Sequence, residues 1–219
     1  MVEPCRITAY KADDERTELK VTVNGDIEEQ ILKYQKNGTL TGELRIDDGR
    51  HISAIQRRKI YANIADIAYY CGEVPEYTKE LFKFLYISET GAPYFSLADC
   101  SMETAREYIS FLIDFALQHD IPLSDPGLQR TDDIERYLWS CIKHKRCCLC
   151  GKPADVHHVQ AIGKGRDRRN YDDSEHKKMA LCRLHHSEAH NIGVESFNEK
   201  HHVFGVIYRE GRKNEELSR

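Results

Sequence analysis

Along the first forty residues, apolar and polar positions alternate with period two. Cys5, Ile7 and Ala9, and then Leu19, Val21 and Val23, flank the polar run 11–16 and predict two strands closed as a hairpin. Asp26 precedes residues 27–35, which predict a short helix ended by Asn37-Gly38, and residues 40–46 return to a strand pattern. From Ile52 the period changes. Ile52, Ile55, Ile60, Ile64, Ile67 and Cys71 recur at helical spacing, with Gly72 as the stop. Residues 78–87 predict a second helix. Ser101 is the expected N-cap of a third, with Ala105, Tyr108, Ile109, Leu112, Ile113 and Ala116 on its apolar face. The stretch 121–127 is dense in helix breakers and marks a boundary. Residues 132–143 then predict a connecting helix that carries Trp139, the one tryptophan of the chain.

Composition adds limits. The 219 residues are 40% hydrophobic and 31% charged, which suits one or two folded domains rather than a disordered chain. No stretch approaches the ~18 consecutive apolar residues of a membrane span. The N-terminus lacks an apolar signal region, so a cytoplasmic protein is expected. The formal charge of −4 argues mildly against a polyanionic partner, but it is unevenly spread. Residues 141–219 hold 16 basic and 11 acidic side chains, a net of +5, which leaves −9 on residues 1–140. Eight of the 11 histidines lie between His157 and His202, and Cys141, Cys147, Cys148, Cys150 and Cys182 share that part of the chain. In a reducing compartment, clustered Cys and His bind metal more often than they form disulfides.

Two kinds of metal chemistry follow from the spacing. Cys147 and Cys150 form a Cys-x-x-Cys knuckle, with Gly151 at the turn, and Cys182 and His185 form a Cys-x-x-His pair. Together they make a Cys3His set suited to a closed, structural Zn²⁺; Cys148 stands between ligands as a bystander or a substitute. If residues 181–190 are helical, His186 and His190 stand at i and i+4 on one face and can share a second ion. A histidine from a preceding strand completes an open three-His site able to polarise a phosphate oxygen. Adjacent His157 and His158 point to opposite sides of a strand, so one can bind metal while the other activates water.

The run Cys-x-x-Cys, Asp-x-His-His, Leu-Cys-x-x-His-His-x-x-x-His resembles the ββα-metal, or HNH, nuclease family, most of all its zinc-knuckle branch with phage members. The resemblance covers about the last third of the chain. It implies His158 as general base, His157, His186 and His190 as ligands of the catalytic ion, and Cys147, Cys150, Cys182 and His185 as the zinc set. The family's middle Asn has no counterpart where residues 176–180 stand. His176 is the replacement candidate and Asn170 the second. Between base and helix, residues 163–169 bring two glycines with Lys164, Arg166, Arg168 and Arg169, which can meet DNA phosphates. His201 and His202, within residues 197–208, are expected in a strand or loop packing on this module. His51, His119 and His144 are expected at the surface or satisfied internally.

In the acidic half, Arg50, Arg57, Arg58 and Lys59 form one basic cluster. By itself it is the polar face of a helix. The Arg-x-x-Ser-x-x-Gln-Arg-x-Lys run, Asp66-Ile67 and the later His-Asp-Ile-Pro-Leu resemble the recombination-mediator family typified by lambda Orf, which binds single-stranded DNA and cooperates with single-strand-binding protein. That resemblance implies phosphate contacts by Arg57, Arg58 and Lys59. Tyr61, Tyr69 and Tyr70 could stack on bases, but core packing is the expectation.

The whole is expected to be an α+β protein: a mixed α/β N-terminal DNA-binding domain at 1–125, a linker with a helix at 126–145, and a zinc-stabilised ββα-metal module at 146–219. The expected function is metal-dependent hydrolysis of DNA on phage recombination or replication intermediates. It uses a structural Zn²⁺ and a catalytic Mg²⁺, Mn²⁺, Ni²⁺ or Zn²⁺. Single-stranded or branched DNA, single-strand-binding protein and a second copy in a homodimer are the expected partners, with no membrane; the setting is a bacterial host cytoplasm. The alternative is a zinc-containing DNA-binding mediator whose nuclease module is inactive.

Overall fold

The hairpin predicted by the period-two pattern is present. Strands β1 (Cys5–Ala12) and β2 (Thr17–Val23) pair antiparallel from Cys5 opposite Val23 to Ala12 opposite Thr17, with a bulge between Ile7 and Ala9. Every hairpin residue is exposed except Val23, which is half-buried. Helix α1 (Glu28–Tyr34) follows; Asp26 Oδ1 accepts from Glu28 N at 3.0 Å, and Asn37 and Gly38 end the unit with positive φ. The computed structural model describes residues 5–23, 25–40, 49–159 and 174–209, so the strand expected over 40–46 lies outside the described residues from position 41 onward.

Four longer helices come next. Ser53 caps α2 (Ala54–Cys71): its hydroxyl accepts from Gln56 N at 3.1 Å, and Gln56 Oε1 accepts from Ser53 N at 3.0 Å, a reciprocal capping box. Gly72, at φ 72°, ends α2 in the left-handed conformation that favours glycine. Pro75 opens α3 (Pro75–Thr90), which is longer than the predicted 78–87 because proline is tolerated in a helix's first turn. Ser101 caps α4 (Met102–Gln118) by accepting from Thr104 N at 3.0 Å. A short turn of helix, α5 (Gly127–Arg130), precedes α6 (Ile134–Lys143).

Packing follows the predicted faces. Ile60, Ile64 and Ile67 of α2 meet Ala105, Tyr108, Ile109, Leu112, Ile113 and Ala116 of α4, all 0–1% exposed. Between α3 and α4 the rings of Phe82, Tyr86, Tyr108, Phe111 and Phe115, joined by Phe95, stack mostly edge to face. Tyr61, Tyr69 and Tyr70 depart from expectation: they are 46%, 91% and 54% exposed, because the isoleucines already occupy the face of α2 that meets α4.

The last part is a three-stranded sheet with two helices. Strand β3 (Asp155–His158) pairs antiparallel with β4 (Lys177–Leu181), and β4 pairs antiparallel with β5 (Val206–Ile207), in the order β3-β4-β5. Helices α7 (Arg183–Ile192) and α8 (Val194–His201) stand between β4 and β5. Helix α8 falls where a strand or loop was expected. Gly193, at φ 84°, breaks the chain from α7, and α8 then buries Phe197 completely.

Helix α6 joins the two parts. Tyr137, Leu138, Trp139, Cys141 and Ile142 are buried, and one continuous apolar core runs from α2–α4 through α6 to Met179, Leu181 and Val206. Asp114 of α4 fastens the joint, accepting from Ser140 Oγ at 2.8 Å, Lys143 Nζ at 3.0 Å and His144 Nε2 at 3.0 Å. Burial opposes ionisation of Asp114, but these hydrogen bonds outweigh it and hold the carboxyl down to about 2. Its stabilising effect is therefore complete above the ordinary carboxylate value of 3.8 and is lost as pH falls through about 2. Asp114→Ala is expected to cost about 1–3 kcal/mol at neutral pH by stranding its donors. Thermal unfolding of variant and parent should converge as the buffer is taken below that ordinary value; a constant gap would refute the linkage. Among the described residues no helix is long and apolar enough to cross a membrane.

Candidate metal centres

The first centre closes around the knuckle. Gly151 (φ 68°) turns the chain after Cys150 and its N–H reaches Cys147 O at 2.8 Å, so both thiols face one point. Cys182 is the N-cap of α7, and His185 lies in the first turn. Cys147 Sγ and Cys182 Sγ each stand 3.3 Å from His185 Nδ1, and Cys150 Sγ is 3.7 Å from Cys182 Sγ. A tetrahedral zinc, with bonds of ~2.3 Å to sulfur and ~2.0–2.1 Å to nitrogen, sets ligand edges of about 3.5–3.8 Å, close to these separations. The sulfur–sulfur distance excludes a disulfide, and all eight cysteines are free. The four residues fit a closed Zn²⁺ site.

Local electrostatics are mixed. Burial pushes the Cys147 thiol up to about 12. Burial also opposes ionisation of Cys182, but the backbone N–H of His185 and the neighbouring Cys150 and Cys147 bring its thiol below the ordinary value. Sequence reasoning missed one support: Tyr137 Oη of α6 donates to the Cys148 carbonyl at 2.9 Å, in the middle of the knuckle. Cys148 itself is fully buried, and its N–H bonds Ala180 O at 3.0 Å, so it packs rather than joining the four-residue cluster.

The second centre shares α7 with the first. His186 is one residue beyond His185, on another side of the helix, and His190 stands one turn further on the His186 face. On β3, His157 lies opposite Met179 and is 3% exposed. The ring centroids are 4.7 Å apart for His157–His186, 5.1 Å for His157–His190 and 4.7 Å for His186–His190. Their donor atoms lie within 4.8 Å of one another, and His157 Nε2 is buried without a hydrogen-bond partner. Burial, and then His186, His190 and His158, push His157 down to about 4; burial and His190 also lower His186, against the pull of Asp155. His157 and His186 are thus held neutral, the form in which imidazole binds metal. An orphaned buried nitrogen beside two further imidazoles fits a cation with open positions.

This has a measurable consequence. A neutral imidazole must stay unprotonated to bind, and His157 protonates only well below the ordinary 6.5. The His157 ring, followed by NMR in the zinc-loaded protein, should therefore stay unprotonated at about pH 6 and gain its proton as pH falls toward about 4. Protonation of His157 at the ordinary histidine value would contradict the depression.

His158 is half-buried, points to the side of β3 opposite His157, and lies across from Lys178. His176 is half-buried and immediately precedes β4, beside the end of β3 that carries His158. His201, at the end of α8, donates through Nε2 to Glu188 Oε1 at 3.1 Å, so it braces α7 rather than joining either cluster. His51 and His144 are internally bonded and His119 stacks on Phe115.

The basic residues fall into three groups. Arg57 donates to the carbonyls of Leu97 at 3.0 Å and Ala98 at 2.8 Å, and Lys59 donates to Thr131 O and pairs with Asp132. Arg50 and Arg58 are exposed. Lys164, Arg166, Arg168, Arg169 and Asn170 lie outside the described residues.

A family model described as "Putative HNHc nuclease" matches residues 24–217. The chain belongs to this HNH nuclease family. The match takes in helices α1–α6 as well as the ββα unit and leaves out hairpin β1–β2. No curated protein and no solved structure matches the chain. HNH nucleases use a metal ion, and both Cys/His clusters of this family member could hold one.

Proposed function

We propose that this HNH-family protein is a metal-dependent DNA endonuclease that hydrolyses phosphodiester bonds. The observation that carries the reading is the cluster of His157, His186 and His190 around the unpartnered His157 Nε2, with a further histidine at the next strand position. His157, His186 and His190 hold the catalytic divalent ion. A bound divalent ion supplies positive charge for the phosphate oxygens and for the leaving 3′-oxygen. His158 takes the proton of the attacking water, so that the P–O3′ bond breaks as the new P–O bond forms. His176 stands in place of the middle Asn and supports the base. Cys147, Cys150, Cys182 and His185 hold the zinc that fixes the start of α7, and with it His186.

The front region, residues 1–125, is proposed to grip single-stranded or branched DNA. Arg50 and Arg58 are its exposed cations, whereas Arg57 and Lys59 reach phosphate only by leaving their carbonyl partners. Lys164, Arg166, Arg168 and Arg169 are proposed, from their charge in the sequence alone, to add phosphate contacts. A phage recombination or replication intermediate in the host cytoplasm suits these parts. Single-strand-binding protein is a proposed partner, and a homodimer would supply two sites for cutting both strands.

The test is nicking of supercoiled plasmid with Mg²⁺, Mn²⁺ or Ni²⁺, followed by a panel of duplex, single-stranded, flapped and four-way DNA. Metal-dependent nicking lost in His158→Ala supports the reading. DNA binding without nicking under any of these ions would instead favour the mediator with an inactive module, the reading to which the missing middle Asn points.

A further inference from the structure

Strand β5 has only two residues, too few for its ladder bonds to matter much by themselves, yet its neighbours touch the base end of the site. Gly205, just before β5, is buried. A Cβ there would overlap Val159 Cγ2 and come within 3.0 Å of Lys177 Cβ. Val159 directly follows His158, Lys177 directly follows His176, and Val159 N donates to Lys177 O at 3.0 Å. On the other side of β5, Arg209 pairs with Glu175, the residue before His176. Between these two contacts, Val206 lies opposite Lys178, Ile207 opposite Lys177, and Lys178 Nζ donates to Tyr208 O at 3.5 Å. The Tyr208 ring packs 5.3 Å from Trp139 of α6.

We propose that the segment from Gly205 to Arg209 is a clamp that positions His158 and His176 relative to the metal trio, with Gly205 and Arg209 as its positioning residues. This rests on the role of His158 in the proposed nuclease. Glycine is required at 205 because only a residue without a Cβ lets the returning chain lie against both Val159 and Lys177. The Arg209–Glu175 pair is partly exposed, so its value lies in direction rather than in stability. The trio is held differently: His157 faces Met179, and His186 and His190 ride on α7, where no contact with β5 is needed. A disturbed clamp therefore leaves the metal sites intact and misplaces the base.

The experiment compares Gly205→Ala and Arg209→Ala with the parent in the full chain. It measures zinc content, Ni²⁺ binding to the zinc-loaded protein, and kcat and KM for plasmid nicking with Mn²⁺. The expected result is parental zinc content and Ni²⁺ affinity, a little-changed KM and a fall in kcat of about 10²-fold, the effect of an ångström-scale misplacement. Arg209→Lys should recover part of the lost rate, as should the charge exchange Glu175→Arg with Arg209→Glu. Parental kcat in both alanine variants, with His158→Ala inactive, overturns the clamp alone. Loss of zinc or Ni²⁺ binding in both variants also overturns it, because the segment would then be merely structural. An active His158→Ala overturns the base assignment instead.

Discussion

His158→Ala is expected to slow metal-dependent plasmid nicking by about 10²–10⁴-fold, the usual contribution of a positioned general base. The substitution touches none of the seven residues in the two ligand clusters. His157 faces the other side of β3, and its neighbours His186 and His190 stand on a different element. Zinc content and Ni²⁺ affinity should therefore match the parent, so the defect appears in kcat and not in metal loading. By contrast, His157→Ala removes the buried centre of the trio and should abolish both Ni²⁺ binding and nicking. The two variants separate base from ligand. Equal loss of metal in His158→Ala would reverse those roles, and a parental rate would remove His158 from the chemistry.

Removing the structural zinc should have the largest effect on folding. Zinc binding in small Cys/His sites is worth about 10–16 kcal/mol, comparable with the whole stability of a domain. Here the ion would tie the knuckle at residues 147–150 to the start of α7, and the knuckle is bonded in turn to α6 through Tyr137 and Cys148. Cys150→Ala is the cleanest variant, because Cys150 is exposed and its replacement leaves no cavity. It should lose zinc, become open to proteolysis within residues 146–209, and shift the emission of Trp139, which packs against Tyr208. Cys71→Ala, also at an exposed thiol but far along the chain on α2, should change none of these. Binding should strengthen with rising pH, since the Cys147 thiol, pushed up to about 12 by burial, must give up its proton to the metal. Unchanged emission and proteolysis after zinc is stripped would exclude this role.

Both experiments act on residues whose spacing is visible in the chain, and the reason is physical. The residues of the two candidate clusters come in local pairs: Cys147 with Cys150, Cys182 with His185, and His186 with His190 at one helical turn. Each pair is set by the geometry of one turn or one helix, so spacing alone carries it. Helices α2 and α4 were legible for the same reason, through a terminal stop or cap and apolar periodicity. Helix α8 was not. Its polar sequence buries only Phe197, which is too little for a periodic signal.

The basic cluster at 50–59 shows the opposite limit. Charge and spacing placed Arg57 and Lys59 on a helix, but their partners, Leu97, Ala98, Thr131 and Asp132, are forty or more residues away. Such pairing depends on which loops reach the helix and leaves no mark on local sequence. Gly205 is of the same kind, since its need for a bare Cα arises from Val159 and Lys177 on other strands.

Sequence therefore determined the hairpin β1–β2, helices α1–α4 and α6, the two residue pairs of the knuckle cluster and the i, i+4 histidines, because each is a short-range consequence of backbone geometry. Tertiary structure decided three further things. It brought His157 to His186 and His190 and left His157 Nε2 buried without a partner. It committed Arg57 and Lys59 to internal carbonyls, and it passed one core through α6 from the helices to the sheet and α7 that carry the two candidate clusters. These depend on contacts between segments far apart in the chain, and only the folded packing of the whole chain specifies them.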